Sequence, residues 1–212
     1  MTFASLGLIE PIVQTLASLD YTTPTAVQQQ AIPAVLSGKD VMAAAQTGTG
    51  KTAGFTLPVL QRLVKKTSKV SPNSARALVL VPTRELAEQV HESFKAYGAG
   101  LALRTMVAYG GVSIKPQMMN LRKGVDVLVA TPGRLLDLHR QNAVTFNEVQ
   151  TLVLDEADRM LDLGFSKELD QVFAALPKKR QTLLFSGTFS DQIRAMAKRL
   201  VREAVRVGAA PR

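Results

Sequence analysis

Eight consecutive residues, Ala45-Gln46-Thr47-Gly48-Thr49-Gly50-Lys51-Thr52, combine two glycines, a lysine and three hydroxyls in an order suited to holding a phosphate chain. They follow a short apolar run, Val41-Met42-Ala43-Ala44, and precede a stretch of helical character over 53–66. A strand, a glycine-bearing turn and a helix start in that order make an anion site. The first N–H groups of a helix have no internal partner, and the helix dipole adds partial positive charge. Gly48 and Gly50 let the backbone wrap closely around a phosphate, where a Cβ would block it. Lys51 can then reach the β- and γ-phosphates, and the Thr52 hydroxyl can hold Mg²⁺. The pattern is a P-loop, with Ala45 standing where glycine is usual, and it predicts a nucleoside triphosphate site.

A second stretch, Thr151-Leu152-Val153-Leu154-Asp155-Glu156-Ala157-Asp158, is an apolar strand ending in acids. In a parallel sheet the C-terminal strand ends share one rim with the P-loop. Asp155 is then placed to hold Mg²⁺ through water, and Glu156 to orient or deprotonate an attacking water. Alone, the same acids would serve equally well as caps of the next helix, where negative charge is favoured. The P-loop upstream turns the reading toward catalysis.

These residues need a scaffold. Further apolar runs of strand length occupy 77–81, 103–109, 125–130, 151–154, 182–185 and 205–207, the last as an edge strand. Helical spacing is visible over 3–19, 26–36, 85–97, 114–121, 134–140, 167–176 and 191–201. Unbroken Val/Leu runs, rather than strict alternation, predict strands covered on both faces. The alternation of the two element types predicts an α/β fold, with a mostly parallel sheet and helices on each side. The Lys, Ser, Pro and Asn cluster over 65–76 reads as a surface loop within one domain.

Composition narrows the classes. With 212 residues, 46% of them hydrophobic, the chain can bury one α/β core. A net charge of +9, from 26 Lys+Arg against 17 Asp+Glu, favours a polyanionic partner, whether RNA, DNA or anionic membrane. The lack of cysteine excludes disulfides and thiolate metal sites. His91 and His139 are expected at the surface, and Met118-Met119 as core filler on an amphipathic helix. No signal peptide and no apolar run of about 18 residues is visible, which sets a cytoplasmic, membrane-free monomer as the default expectation.

Asp155-Glu156-Ala157-Asp158 spells DEAD, and other stretches fall in a matching order. They are Phe3 upstream of Pro24-Thr25-Ala26-Val27-Gln28, then Pro82-Thr83-Arg84-Glu85-Leu86, Gly110-Gly111, Thr131-Pro132-Gly133-Arg134 and Ser186-Gly187-Thr188. Over nearly its whole length the chain resembles the first RecA-like domain of DEAD-box RNA helicases. The wording of 45–57 and 110–119 is most similar to the bacterial RhlE-type subgroup. The resemblance implies one RecA-like domain over 1–212, with a Q motif within 1–29 and with ATP and Mg²⁺ as cofactors. Gln28 would read the adenine edge and Phe3 would lie against the base, beside residues 45–52. Lys51, Asp155 and Glu156 would be catalytic. Thr83, Arg84, Gly111, Thr131 and Arg134 would hold an RNA backbone without reading bases. Asp158, Ser186 and Thr188 would couple nucleotide state to RNA grip. Without the resemblance, Gln28 is one of three consecutive glutamines and reads as a solvated helix face.

Two positions depart from the family pattern: Asp20, where glycine often precedes the aromatic, and Gly187, where alanine is usual. The arginine-finger stretch His-Arg-x-Gly-Arg-x-x-Arg is not found. The second RecA-like domain is therefore expected outside this chain, which alone should bind nucleotide but hydrolyse it poorly. Rival expectations are a P-loop ATPase that remodels DNA or protein complexes, and a non-catalytic RNA-binding module.

Overall fold

Along each strand, neighbouring side chains enter different cores. Ala77 and Val79 point to one core and Leu78 and Leu80 to the other; Val153 is likewise separated from Leu152 and Leu154, and Leu183 and Phe185 from Leu184. Both faces of the sheet are buried, which is why the strands read as unbroken apolar runs. The computed structural model describes residues 1–208 and 210. Its strands are β1 (Val41–Ala44), β2 (Ala75–Leu80), β3 (Thr105–Ala108), β4 (Val125–Ala130), β5 (Thr151–Leu154), β6 (Gln181–Ser186) and β7 (Val205–Val207). They form one sheet in the order β3-β4-β2-β5-β6-β1-β7, with every pair parallel.

The helices are α1 (Glu10–Ser18), α2 (Ala26–Leu36), α3 (Lys51–Lys65), α4 (Arg84–Tyr97), α5 (Lys115–Leu121), α6 (Pro132–Arg140), α7 (Ala157–Asp162), α8 (Ser166–Ala175) and α9 (Asp191–Leu200). Residues of α1–α4 pack into one core and residues of α5–α9 into the other, so the sheet is covered on both sides. Among the described residues no helix is long and apolar enough to cross a membrane.

Several expectations need correction. The single helix over 3–19 is two pieces: a 3-10 turn (Ala4–Leu6) that Gly7 ends at φ 101°, then α1, which opens with Pro11 in its first turn. Proline is tolerated there and disfavoured in a helix interior. Met119 is 60% exposed, while Met118 packs against the second core. Neither histidine is a simple surface group. His139 stacks on Phe146 at 4.5 Å, and burial pushes the half-buried His91 imidazole below its ordinary pKa. Asp20, standing where the family has glycine, adopts φ 63°, a left-handed conformation that aspartate accepts more readily than most residues. The 65–76 loop also conceals Arg76, which is buried in an ion pair with Asp126 at 3.1 Å and donates to the carbonyls of Leu63 and Lys66.

Candidate active site

The P-loop joins the end of β1 to the start of α3. Gly48 and Gly50 take φ values of 87° and 81°, the left-handed backbone that the turn requires. Ala45 N–H donates to the Ser186 carbonyl at 3.1 Å, which fixes the loop's first residue to the end of β6. Lys51, 5% exposed, turns inward at the head of α3. Its ammonium donates to Asp155 Oδ1 at 2.5 Å and lies 3.5 Å from Glu156 Oε2. A lysine from one motif and two acids from another, 104 and 105 residues apart, thus form one cluster.

Asp155 is fully buried, and its second oxygen, Oδ2, has no hydrogen-bond partner among the described residues. Burial pushes its carboxyl above the ordinary value, against the opposing pull of Lys51. A buried carboxylate oxygen left open, together with the hydroxyl of Thr52 at the head of α3, is a donor set that suits a hard divalent cation. Glu156 sits at φ 55°, an uncommon conformation for a residue with a β-carbon. It turns the chain sharply from β5 into α7 and also stands 3.7 Å from Arg159.

The loop after β6 reaches both motifs. Thr188 Oγ1 donates to Asp158 Oδ2 at 3.0 Å, and Ser186 Oγ donates to the Thr188 carbonyl at 2.7 Å. Gln46 Nε2, from the P-loop, donates to the Gly187 carbonyl at 2.8 Å. A β-carbon on residue 187 would stand 3.0 Å from Gln46 Oε1 and 3.3 Å from Asp158 Oδ2. Asp158, Ser186 and Thr188 are therefore brought together as expected. Gln46 joins them through a contact that no local pattern in the sequence announces.

Two base-contacting residues are placed differently from expectation. Gln28 is buried rather than solvated, and it is engaged within the protein. Its Oε1 accepts from Thr25 N–H at 2.9 Å, completing a capping box at the head of α2, and its Nε2 donates to the Gly50 carbonyl at 3.1 Å. The side chain ties α2 to the P-loop and keeps one amide hydrogen uncommitted. Phe3 is 4% exposed and packs in the core, so its ring presents no open face to a base in this structure. The turn over Ala4–Leu6 folds it inward.

The five residues expected at an RNA backbone lie at strand-to-helix turns on the same rim. Thr83 caps α4, accepting from Leu86 N–H at 3.2 Å. Thr131 heads α6 without a side-chain cap bond, and Gly111 is exposed at φ 81°. The two arginines are engaged within the protein. Arg84 lies 4.9 Å over the Tyr109 ring, whose hydroxyl in turn donates to Glu88. Arg134 donates to Gln117 Oε1 and to the Val112 carbonyl, each at 2.9 Å, and so clamps the loop that carries Gly111.

A parallel α/β sheet with a P-loop and a buried lysine–aspartate pair on its C-terminal rim defines a P-loop nucleotide-binding domain. A family profile described as DEAD/DEAH box helicase matches residues 25–196, and the chain belongs to that family. It is 48% identical over 198 residues to DEAD-box ATP-dependent RNA helicase 36 of Oryza sativa subsp. japonica, covering 92% of this chain and 38% of the relative. It is 42% identical over 207 residues to ATP-dependent rRNA helicase RRP3 of Pyricularia oryzae, covering 97% of this chain and again 38% of the relative. Among solved structures, a DEAD box protein from the hyperthermophile Methanococcus jannaschii superposes with a TM-score of 0.91 at 32% identity, over 99% of this chain and 56% of that one. The fold is therefore RecA-like, and the chain spans well under two thirds of the proteins it matches.

Proposed function

We propose that this chain is the ATP-binding domain of an ATP-dependent RNA helicase, acting with a second RecA-like domain and with Mg²⁺. The observation that carries this reading is the buried Lys51–Asp155 pair beneath the P-loop, with Asp155 Oδ2 open. Lys51 is now neutralised by carboxylates; an arriving triphosphate offers it denser negative charge and draws it away. Asp155 and Thr52 would then hold Mg²⁺, which neutralises charge on the phosphates. Glu156, beside both, would orient or deprotonate the attacking water. Thr83, Gly111 and Thr131, with groups open toward solvent, would take RNA phosphates and 2′-hydroxyls, while Arg84 and Arg134 shape the turns. Arginine fingers are worth about 10³–10⁵ in turnover for P-loop enzymes, so the chain alone is expected to hydrolyse ATP slowly. The RhlE-type subgroup belongs to this proposal and rests on the wording of 45–57 and 110–119.

The test is titration of the chain with fluorescent ADP and Mg²⁺, competed by ADP and by GDP, and repeated with Gln28→Ala. The expected result is preference for adenine, reduced in the variant. Because Gln28 also braces the P-loop, the readout is the ADP/GDP ratio rather than absolute affinity. Equal competition by the two nucleotides in the native chain would refute the adenine reading, and no binding would refute the site.

A further inference from the structure

At the opposite end of α3 from the P-loop, the helix's last turns and the starts of β5 and β6 surround an open cavity of about 1230 Å³. With 15 residues in α3, the two sites lie roughly 22 Å apart along the helix. Five basic residues line the cavity: Arg62, Lys65 and Lys66 from the end of α3, and Lys179 and Arg180 from the turn before β6. Among the described residues Glu148 is the one acid on its wall, and its Oε1 accepts from Ser71 N–H. Those at the helix end have an ordinary role, complementing the dipole at its C-terminus. Lys179 and Arg180, on the facing wall, have no such role.

None of the five forms an ion pair among the described residues. Arg62 and Arg180 donate to the backbone carbonyls of Leu36 and Pro177, Asp40 attracts Arg180 from beyond ion-pair distance, and Arg180 Nε is buried without a hydrogen-bond partner among the described residues. On the nucleotide rim, Arg84 lies over the Tyr109 ring and Arg134 donates to Gln117. Five cations against one acid leave the wall with an excess of positive charge, which an anionic ligand would offset.

We propose that this cavity is a second contact for single-stranded RNA, held through its phosphate backbone on the pole opposite the nucleotide. The inference rests on the RNA reading given under Proposed function. The chemistry favours a flexible backbone over a single phosphate. The cations stand on two walls of a wide opening rather than converging on one point, and lysines act as mobile point charges rather than rigid forks. A long RNA could engage both poles of the domain.

The experiment measures anisotropy of a labelled single-stranded oligouridylate between about 50 and 200 mM salt. It compares the native chain with a Lys65→Ala/Lys66→Ala/Lys179→Ala variant. All three lysines are exposed, so the variant should melt as the native chain does. Each phosphate contact on single-stranded nucleic acid contributes about 0.7 to the slope of log affinity against log salt. The variant is expected to lose about 2 from that slope, with MgADP affinity unchanged. An unchanged slope overturns the inference, and so does failure of the native chain to bind the probe. The adenine competition judges the proposed function separately in either case. If polyglutamate binds the native chain but not the variant, while RNA binds both equally, the site takes an acidic protein segment and the RNA inference falls.

Discussion

Gly187 stands where the family usually carries alanine, which makes Gly187→Ala an informative substitution. The added β-carbon would stand 3.0 Å from Gln46 Oε1 and 3.3 Å from Asp158 Oδ2. Gln46 is exposed and can swing away, losing its 2.8 Å hydrogen bond to the Gly187 carbonyl. Such a bond contributes about 0.5–1.5 kcal/mol, nearer the lower end in solvent. Residue 187 is outside the left-handed region, so alanine brings no backbone strain. Restricting the unfolded chain returns about 0.4–1 kcal/mol. The two effects nearly cancel, so net stability should change by less than about 1 kcal/mol, or about 2–4 °C in Tm for a chain of this size. The sharper readout is a double-mutant cycle with Gln46→Ala by urea denaturation. Since both changes remove the same bond, their effects should be non-additive by about 0.5–1.5 kcal/mol. Additivity within about 0.3 kcal/mol would show that Gln46 and Gly187 do not interact, and the reasoning would fail.

Two further outcomes follow from the same site. Gly50→Ala would force a β-carbon to φ 81° and to 2.5 Å from Gln28 Nε2; a loss of about 1–3 kcal/mol, with weaker nucleotide binding, is expected from denaturation and titration. The folded pKa of Asp155 is raised above its unfolded value, so the native state binds the extra proton. The contribution of this group to stability is present below the ordinary carboxylate range and is lost as pH rises through the raised value. Mg²⁺-dependent nucleotide affinity should increase over the same window as the proton leaves. Asp155→Asn should flatten that part of the stability profile, measured by melts at stepped pH; an unchanged profile would refute the assignment.

The nucleotide loop and the acids were legible because each motif is continuous in the chain and its ends are set by local rules. Residues 45–52 need only a strand before them and a helix after, and Asp155 needs only to end a buried strand. The strands were equally plain, since burial on both faces leaves unbroken apolar runs. What sequence could not give was the set of partners each polar side chain chooses across the fold. Gln28, one of three consecutive glutamines, reads as a solvated face without the family resemblance, yet it is buried and bridges Thr25 and Gly50. For Arg84 and Arg134, expected at RNA, the contacts to the Tyr109 ring and the Val112 carbonyl are made by residues distant in sequence that only folding brings close. Phe3 shows the same limit for an apolar residue, because an aromatic side chain suits a core and a ligand equally well until the turn after it is known.

The place of β1 in the sheet has a consequence for biosynthesis. Among the described residues it pairs only with β6 and β7, and Val41 aligns with Leu183 and Val205. About 140 residues therefore separate this strand from its first hydrogen-bonded neighbour. At 5–20 residues per second, a ribosome takes roughly 7 to 28 s to supply them. Through that interval the emerging loop 45–50 lacks the Ser186 carbonyl that anchors it, while apolar faces of α2 and α3 await the sheet that covers them. The phosphate-binding loop is thus made well before the strand that anchors it, and its maturation waits on β6.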